Sequence, residues 1–186
     1  MRRKDFGIWN NYSWKDYYEN VKYFSLGLIS LGLEPEDKVC IIGENAPEWY
    51  WGALATQATH GVAAGIFTDS TPPEVKYIVQ HSEASFVIAE DQEQVDKILE
   101  IKDEIPRVRK LIYWDPEGMY AYEDPLLMYF YDVVKLGMEY DETHPGLFER
   151  NVEQGMAEDM AAIFYTSGTT GEHPKGGLGT QACLMN

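Results

Sequence analysis

The sequence predicts an α/β fold: a parallel βαβ sheet with helices on both faces. Three observations predict it. Short apolar runs without polar alternation recur at residues 39–42, 62–67, 85–90 and 110–114, as they do in strands buried on both faces. Segments with apolar residues at helical spacing lie between these runs. Strand and helix alternate at least three times, which is the order of βαβ units.

The elements follow in chain order. Ser13 and Asp16 form a capping-box pattern, with an acid where Glu or Gln is usual. Trp14, Tyr17, Tyr18, Val21, Phe24, Leu28 and Leu31 then recur on one helical face, and Gly32 offers a stop. The run "KVCIIG" reads as a buried strand, and Asn45, Pro47 and Glu48 open a helix that ends near Gly61. After "VAAGIF", Thr71, Pro72 and Glu74 supply a cap, a first-turn proline and an acid three residues beyond the cap. That helix is expected to reach about Ser82. "SFVIAE" is the next strand, residues 92–103 the next amphipathic helix, and "KLIYW" the strand after it. Pro and Gly at 115–118 and 124–125 mark an irregular excursion. Residues 126–137 and 145–154 read as two more helices, and 160–165 as a strand. No repeat or low-complexity tract is present.

The chain has 186 residues, with 31 acidic against 15 basic and a net charge of −16. A nucleic-acid partner is disfavoured, because a phosphate backbone needs a basic face. Phosphate ligands are not, because backbone amides can hold them locally. Cys40 and Cys183 make no disulfide framework, and Cys40 sits within an apolar run as a small hydrophobe. The basic start MRRKDFG has no apolar segment behind it, so it does not read as a signal peptide. No run approaches the ~18 apolar residues of a membrane span. The expected location is therefore the cytoplasm, where the sequon at Asn11 has no glycan to carry.

The stretch "YTSGTTGEHPKG", residues 165–176, gathers four Ser/Thr hydroxyls and two glycines ahead of Lys175, with a third glycine after it. In parallel sheets ligands collect at the carboxyl ends of strands, and this stretch follows one. Its bland reading is a solvated hairpin turn. A Walker loop is excluded, because neither Gly168 nor Gly171 is followed at the required distance by Gly-Lys. The run from Gly177 to Ala182 fits a dinucleotide fingerprint, but the acid needed ~20 residues later lies beyond the sequence. His60, His81 and His144 show no metal-ligand spacing, and His173 reads as a solvated loop residue. The 13 Tyr and 5 Trp suit core and helix-face packing better than a ligand cage.

Taken whole, Tyr165-Thr166-Ser167-Gly168-Thr169-Thr170-Gly171, then Pro174, Lys175 and Gly176, resembles the phosphate loop of the adenylate-forming (AMP-binding) superfamily. That superfamily includes acyl-CoA synthetases, luciferases and peptide-synthetase adenylation domains. The physical logic agrees: glycines admit backbone N–H groups to phosphate oxygens, hydroxyls add donors, and lysine adds charge. The resemblance covers nearly the whole chain. "SWKDYYENVKYFSLGLISLGLEPEDKVCIIGENAPEW" resembles the opening of the family's N-terminal domain. "GIFTDSTPPEVKYIVQHSEASFVIAEDQEQVDKILEI" and "DPEGMYAYEDP" are most similar to bacterial long-chain fatty acid–CoA ligases.

The resemblance implies a two-step ligase. A carboxylate attacks the α-phosphate of Mg·ATP to give acyl-AMP and pyrophosphate, and the thiol of coenzyme A then displaces AMP. It implies ATP, Mg2+ and CoA as cofactors and cosubstrates, with a fatty acid as partner. Thr166, Ser167, Gly168, Thr169, Thr170, Gly171 and Lys175 would hold the ATP phosphates, and the Thr166 hydroxyl would be a Mg2+ contact. Other readings are another acid-activating enzyme (aryl-CoA ligase or peptide-synthetase adenylation domain) and a non-catalytic phosphate-binding module. Two departures stand out. Gly177 replaces the usual Val or Ala, and Thr180-Gln181 replaces a usual Ser/Thr-His pair.

The resemblance also makes residues 1–186 the N-terminal part of an adenylate-forming domain. The catalytic residues, the adenine contacts and the C-terminal domain with its lysine are expected beyond Asn186. The chain alone is then expected to be inactive. Peripheral membrane contact is compatible with a long-chain substrate, although no basic amphipathic helix stands out.

Overall fold

The computed structural model describes residues 1–166 and 174–185. An amino-terminal hairpin of β1 (Arg2–Asp5) and β2 (Ile8–Asn11) stands apart as a two-stranded antiparallel sheet. The main sheet contains β3 (Lys38–Ile42), β4 (Val62–Ile66), β5 (Phe86–Ala89), β6 (Lys110–Tyr113), β7 (Leu127–Tyr129), β8 (Met160–Thr166) and β9 (Lys175–Thr180). Its strand order is β7-β6-β5-β3-β4-β8-β9. Every pairing is parallel except the last, where β9 runs antiparallel to β8. The parallel βαβ expectation for the strands near 39–42, 63–66, 86–89 and 110–113 is met.

Each central strand feeds two cores. Val39 and Ile41 face one, with Phe24, Trp51, Phe130 and Phe148. Cys40 and Ile42 face the other, with Val75, Ile78, Val95 and Ile98. Both faces of the strand are buried, so its sequence is an unbroken apolar run. The first face is covered by α1 (Trp14–Ser30), α2 (Pro47–Ala58), α5 (Phe130–Thr143) and α6 (Leu147–Gln154); the second by α3 (Pro72–His81) and α4 (Gln92–Glu100).

Local signals set the helix ends. Ser13 Oγ accepts from the Asp16 amide at 3.1 Å, and Asp16 Oδ2 accepts from the Ser13 amide at 2.7 Å. Glu74 Oε2 likewise accepts from the Thr71 amide at 2.8 Å. At the far end of α1, Gly32 adopts φ 92°, its amide reaches the Ile29 carbonyl, and the Leu33 amide reaches that of Leu28. This is a Schellman stop, for which a left-handed glycine is suited.

The structure corrects several expected boundaries. α2 is capped at Ala46 rather than Asn45 and ends at Ala58, three residues before Gly61. α4 stops at Glu100, and a 3-10 turn covers Lys102–Glu104. The helix expected over 126–137 is instead strand β7 followed by α5. A short apolar run such as Leu-Met-Tyr-Phe has no periodicity to separate strand from helix. Leu127–Tyr129 pairs with the free edge of β6.

Gly137 ends nothing: it lies inside α5. A Cβ there would overlap the carbonyl oxygen of Tyr23, and one at Gly27 would overlap that of Val133. These two glycines let α1 and α5 cross with backbones in contact. Phe24 stacks on Phe130 beside them, centroids 4.0 Å apart. The expected strand at the chain's most hydroxyl-rich stretch is present as β8. The Gly177–Ala182 run is not a dinucleotide turn: it enters β9 and the short helix α7 (Gln181–Met185).

Candidate functional site

β8 delivers the chain to the carboxyl edge of the sheet, beside β4. Its last residue, Thr166, lies directly opposite Lys175, the first residue of β9. Both are exposed. The hydroxyl and the ammonium expected to hold phosphate are therefore brought side by side by an antiparallel ladder. Ser167, Gly168, Thr169, Thr170, Gly171 and His173 lie outside the described residues.

The ladder explains the glycines that follow Lys175. A Cβ at Gly176 would come within 3.0 Å of Ile163 and 3.4 Å of the Tyr165 ring, and one at Gly179 within 2.9 Å of the Phe164 ring. Large side chains of β8 lie over β9, and glycine accommodates them. Gly177, where the resemblance suggested Val or Ala, is exposed and faces no such ring.

Tyr165 anchors the strand just before the loop. Its hydroxyl lies 2.9 Å from His81 Nδ1 at the end of α3, and its ring meets that imidazole edge-on. His81 also stacks with Tyr77. Burial pushes the Tyr165 phenol up to about 12, so it stays neutral and can hydrogen-bond without charge. No spacing in the sequence links residues 81 and 165, and this contact was not legible there. Thr180 Oγ1 accepts from the Cys183 amide at 3.4 Å and so caps α7. This is the position where the resemblance suggested a Ser/Thr-His pair.

A cleft of about 500 Å³ opens at the carboxyl ends of β3, β4 and β8, lined among others by Glu44, Trp49, Thr68, Phe164, Tyr165 and Leu184. It lies where ligands gather in open parallel sheets. Glu44 lines it, and Glu90, just past β5, reaches Glu44. Glu90 Oε2 accepts from the Glu44 amide at 2.6 Å, and Glu44 Oε1 accepts from Thr68 Oγ1 at 3.1 Å. Partial burial raises the pKa of Glu90, against the lowering effect of the Glu44 amide.

Among the described residues, no group of three His, Cys, Asp or Glu could hold a metal. His60 pairs with Asp159, and His144 stacks on Tyr140. Thr166 offers a single neutral oxygen. That suits Mg2+ only as one contact beside phosphate oxygens and water, which is how Mg2+ is commonly held.

The AMP-binding enzyme family matches residues 3–186. The chain belongs to the AMP-binding enzyme family. Curated relatives include a long-chain-fatty-acid–CoA ligase of Xenopus laevis, 30% identical over 168 residues, covering 90% of this chain and 22% of the relative. A long-chain-fatty-acid–CoA ligase of Rattus norvegicus is 31% identical over 182 residues, covering 95% of this chain and 23% of the relative. The chain thus spans less than a quarter of the length of these relatives.

Among solved structures, an anthranilate CoA ligase in complex with anthranoyl-AMP superposes with a TM-score of 0.74 at 23% identity, covering 90% of this chain and 29% of that one. A Rhodopseudomonas palustris protein, assigned provisionally as a long-chain-fatty-acid CoA ligase, gives 0.73 at 16%, covering 96% and 40%. At these identities the structures establish the shared fold.

Proposed function

We propose that this chain is the N-terminal part of a ligase that activates a long-chain fatty acid with ATP and transfers the acyl group to CoA. The observation that carries the reading is the Thr166–Lys175 pair at the feet of a Ser/Thr/Gly loop, in a chain of the AMP-binding family. The fatty acid rests on the names of relatives about 30% identical to it.

In this reading the loop's amides and hydroxyls and the Lys175 ammonium hold the β- and γ-phosphates while charge builds on departing pyrophosphate. Such preorganised donors act on charge that develops in the transition state. Bound Mg2+ would neutralise phosphate charge, with Thr166 as its protein oxygen. Tyr165 positions the loop's first residue through its link to His81. The chain by itself is not expected to complete the adenylation. The expected cellular location is the cytoplasm, with peripheral contact at a membrane.

The test is acid-dependent pyrophosphate exchange by the full-length protein. Long-chain acids should support exchange and CoA thioester formation. Exchange with aryl or amino acids alone would replace the substrate but keep the chemistry. No exchange with any acid, and no ATP binding, would leave a non-catalytic module.

A further inference from the structure

The amino-terminal hairpin combines three unusual features. Phe6 and Gly7, the two turn residues between β1 and β2, both adopt left-handed backbone, φ 47° and 86°. Two-residue hairpin turns of this kind favour Asn, Asp or Gly, because a side chain is disfavoured at positive φ. A bulky aromatic there is an outlier, and no packing among the described residues compensates it, since Phe6 is 102% exposed. Strain of this sort points to use rather than to folding.

The second feature is a set of exposed apolar side chains along the hairpin, Ile8 and Trp9 on opposite faces and Trp14 beyond its root. Ile8 is 68% exposed, Trp9 58%, and Trp14, just past the hairpin, 87%. The third is charge of the sign opposite to the whole. Residues 1–15 hold Arg2, Arg3, Lys4 and Lys15 against Asp5 alone, in a chain of net charge −16. The register puts Lys4 opposite Trp9, with the Lys4 ammonium 5.9 Å from the ring centroid. By the alternation of strands, Arg2 lies on that same side and Arg3 on the other. There Arg3 pairs with the buried Glu48 at 3.1 Å.

The root of the hairpin is fixed to the body. The Met1 ammonium donates to the Tyr12 carbonyl at 3.0 Å, and Tyr12 packs edge-on against the buried Trp51. The aromatic tip and its basic flank are therefore presented on a rigid base.

We propose that this hairpin docks the protein on an anionic lipid bilayer. Phe6 and Trp9 enter the boundary between headgroups and acyl chains, where aromatic side chains concentrate. Arg2 and Lys4 sit at the level of the lipid phosphates, as basic residues near anionic leaflets do. A protein partner fits less well. A stable protein interface buries about 800 Å² per partner, whereas a two-residue tip is convex and small. The acidic body does not forbid the contact, because charges more than about 8 Å away are screened at physiological salt. The inference rests on the membrane contact proposed above and names its surface; its test reads lipid binding and does not depend on ligase activity.

The test is co-sedimentation of the chain with vesicles of phosphatidylcholine alone or with phosphatidylserine, at low and physiological salt. Binding should require phosphatidylserine and weaken as salt rises. Arg2→Ser with Lys4→Ser should reduce it by at least about tenfold at low salt. Phe6→Asn should reduce it by about tenfold, the loss of one buried aromatic side chain. The same change should leave the melting temperature equal or higher, because Asn suits the turn. Loss of binding in this variant cannot then come from unfolding. The proposal is overturned by absence of vesicle binding in the wild type, by equal binding with and without phosphatidylserine, or by unchanged binding of Phe6→Asn. It is also overturned if Phe6→Asn abolishes a concentration-dependent self-association while lipid binding is absent.

Discussion

Thr166 and Lys175 face each other across the first rung of the β8–β9 ladder. Eight residues separate them in sequence, yet the antiparallel pairing brings their Cα atoms to adjacent positions. A hydroxyl and a cation are thereby held side by side at the carboxyl edge of the sheet. In the proposed reading, this pairing would let a chain of net charge −16 hold a polyanion, because the positive charge is local and held on a strand.

In the full-length protein, Thr166→Ala and Lys175→Ala should each lower acid-dependent pyrophosphate exchange by about 10²–10³, the usual effect of removing one preorganised transition-state contact. Thioester formation from supplied acyl-adenylate involves no β- or γ-phosphate and should change much less. Equal losses in both assays would mean that these groups are not a phosphate grip.

Much of the fold was legible because local and tertiary signals agree. Ser13/Asp16 and Thr71/Glu74 mark helix starts by side-chain chemistry alone. The runs at 39–42 and 86–89 are apolar on both strand faces because both faces are buried. Where the reading fell short, tertiary contacts decide. β7 is a strand because β6 offers it an edge, and Gly137 is mid-helix because α1 lies against it. β9 was hidden because Gly-Gly-Leu-Gly has no strand pattern of its own, and its glycines answer to Phe164 and Tyr165. The hairpin of β1 and β2 is equally silent, exposed throughout β2 and so without alternation. The hydroxyl-rich stretch stands out by composition and motif, although residues 167–173 lie outside the described residues. Its anchor, Tyr165 on His81, needs three-dimensional proximity that no one-dimensional pattern encodes.

Gly137→Ala should destabilise the chain. The added methyl meets the backbone oxygen of Tyr23, which cannot turn aside as a side chain could. Overpacking typically costs about 1–3 kcal/mol, and backbone contact puts this case at the upper end. The better helix propensity of Ala returns about 1 kcal/mol. A fall of about 2 kcal/mol in urea-unfolding free energy is expected. An unchanged midpoint would mean that the two helices do not cross this closely.

The two thiols should react at very different rates. Cys40 is fully buried, 3.4 Å from Ser82 Oγ, and burial pushes its pKa up to about 12. Cys183 is exposed, and its hydrogen bond to Thr180 lowers its pKa. Because the thiolate is the reactive form, a thiol reagent at mildly alkaline pH should label Cys183 quickly. Cys40 should be labelled only in denaturant. Rapid labelling of Cys40 in native conditions would contradict its place between β3 and α3.

The acid limb of stability should depend on the capping carboxylates. Asp16 lies below its ordinary pKa because it accepts hydrogen bonds from the Ser13 hydroxyl and amide; Glu74 is lowered by the Thr71 amide and hydroxyl. Their folded pKa values lie below the unfolded ones, so the stabilisation is complete above the ordinary carboxylate range. It is lost as pH falls through that range toward the folded values. Glu90 works in the opposite sense: burial raises its pKa, so its contribution is present at low pH and fades as pH rises through the folded value. Stability of the wild type should therefore hold from neutrality down to about pH 5 and fall below about pH 4. Asp16→Asn with Glu74→Gln should lower stability at neutral pH and make the acid limb shallower, the remainder coming from Asp124, Glu149 and Asp159, which are also held below the ordinary carboxylate value. Glu90→Gln should do neither. Urea unfolding of the three proteins across this range measures it. An acid limb equally steep with and without the caps would mean that other carboxylates govern acid unfolding.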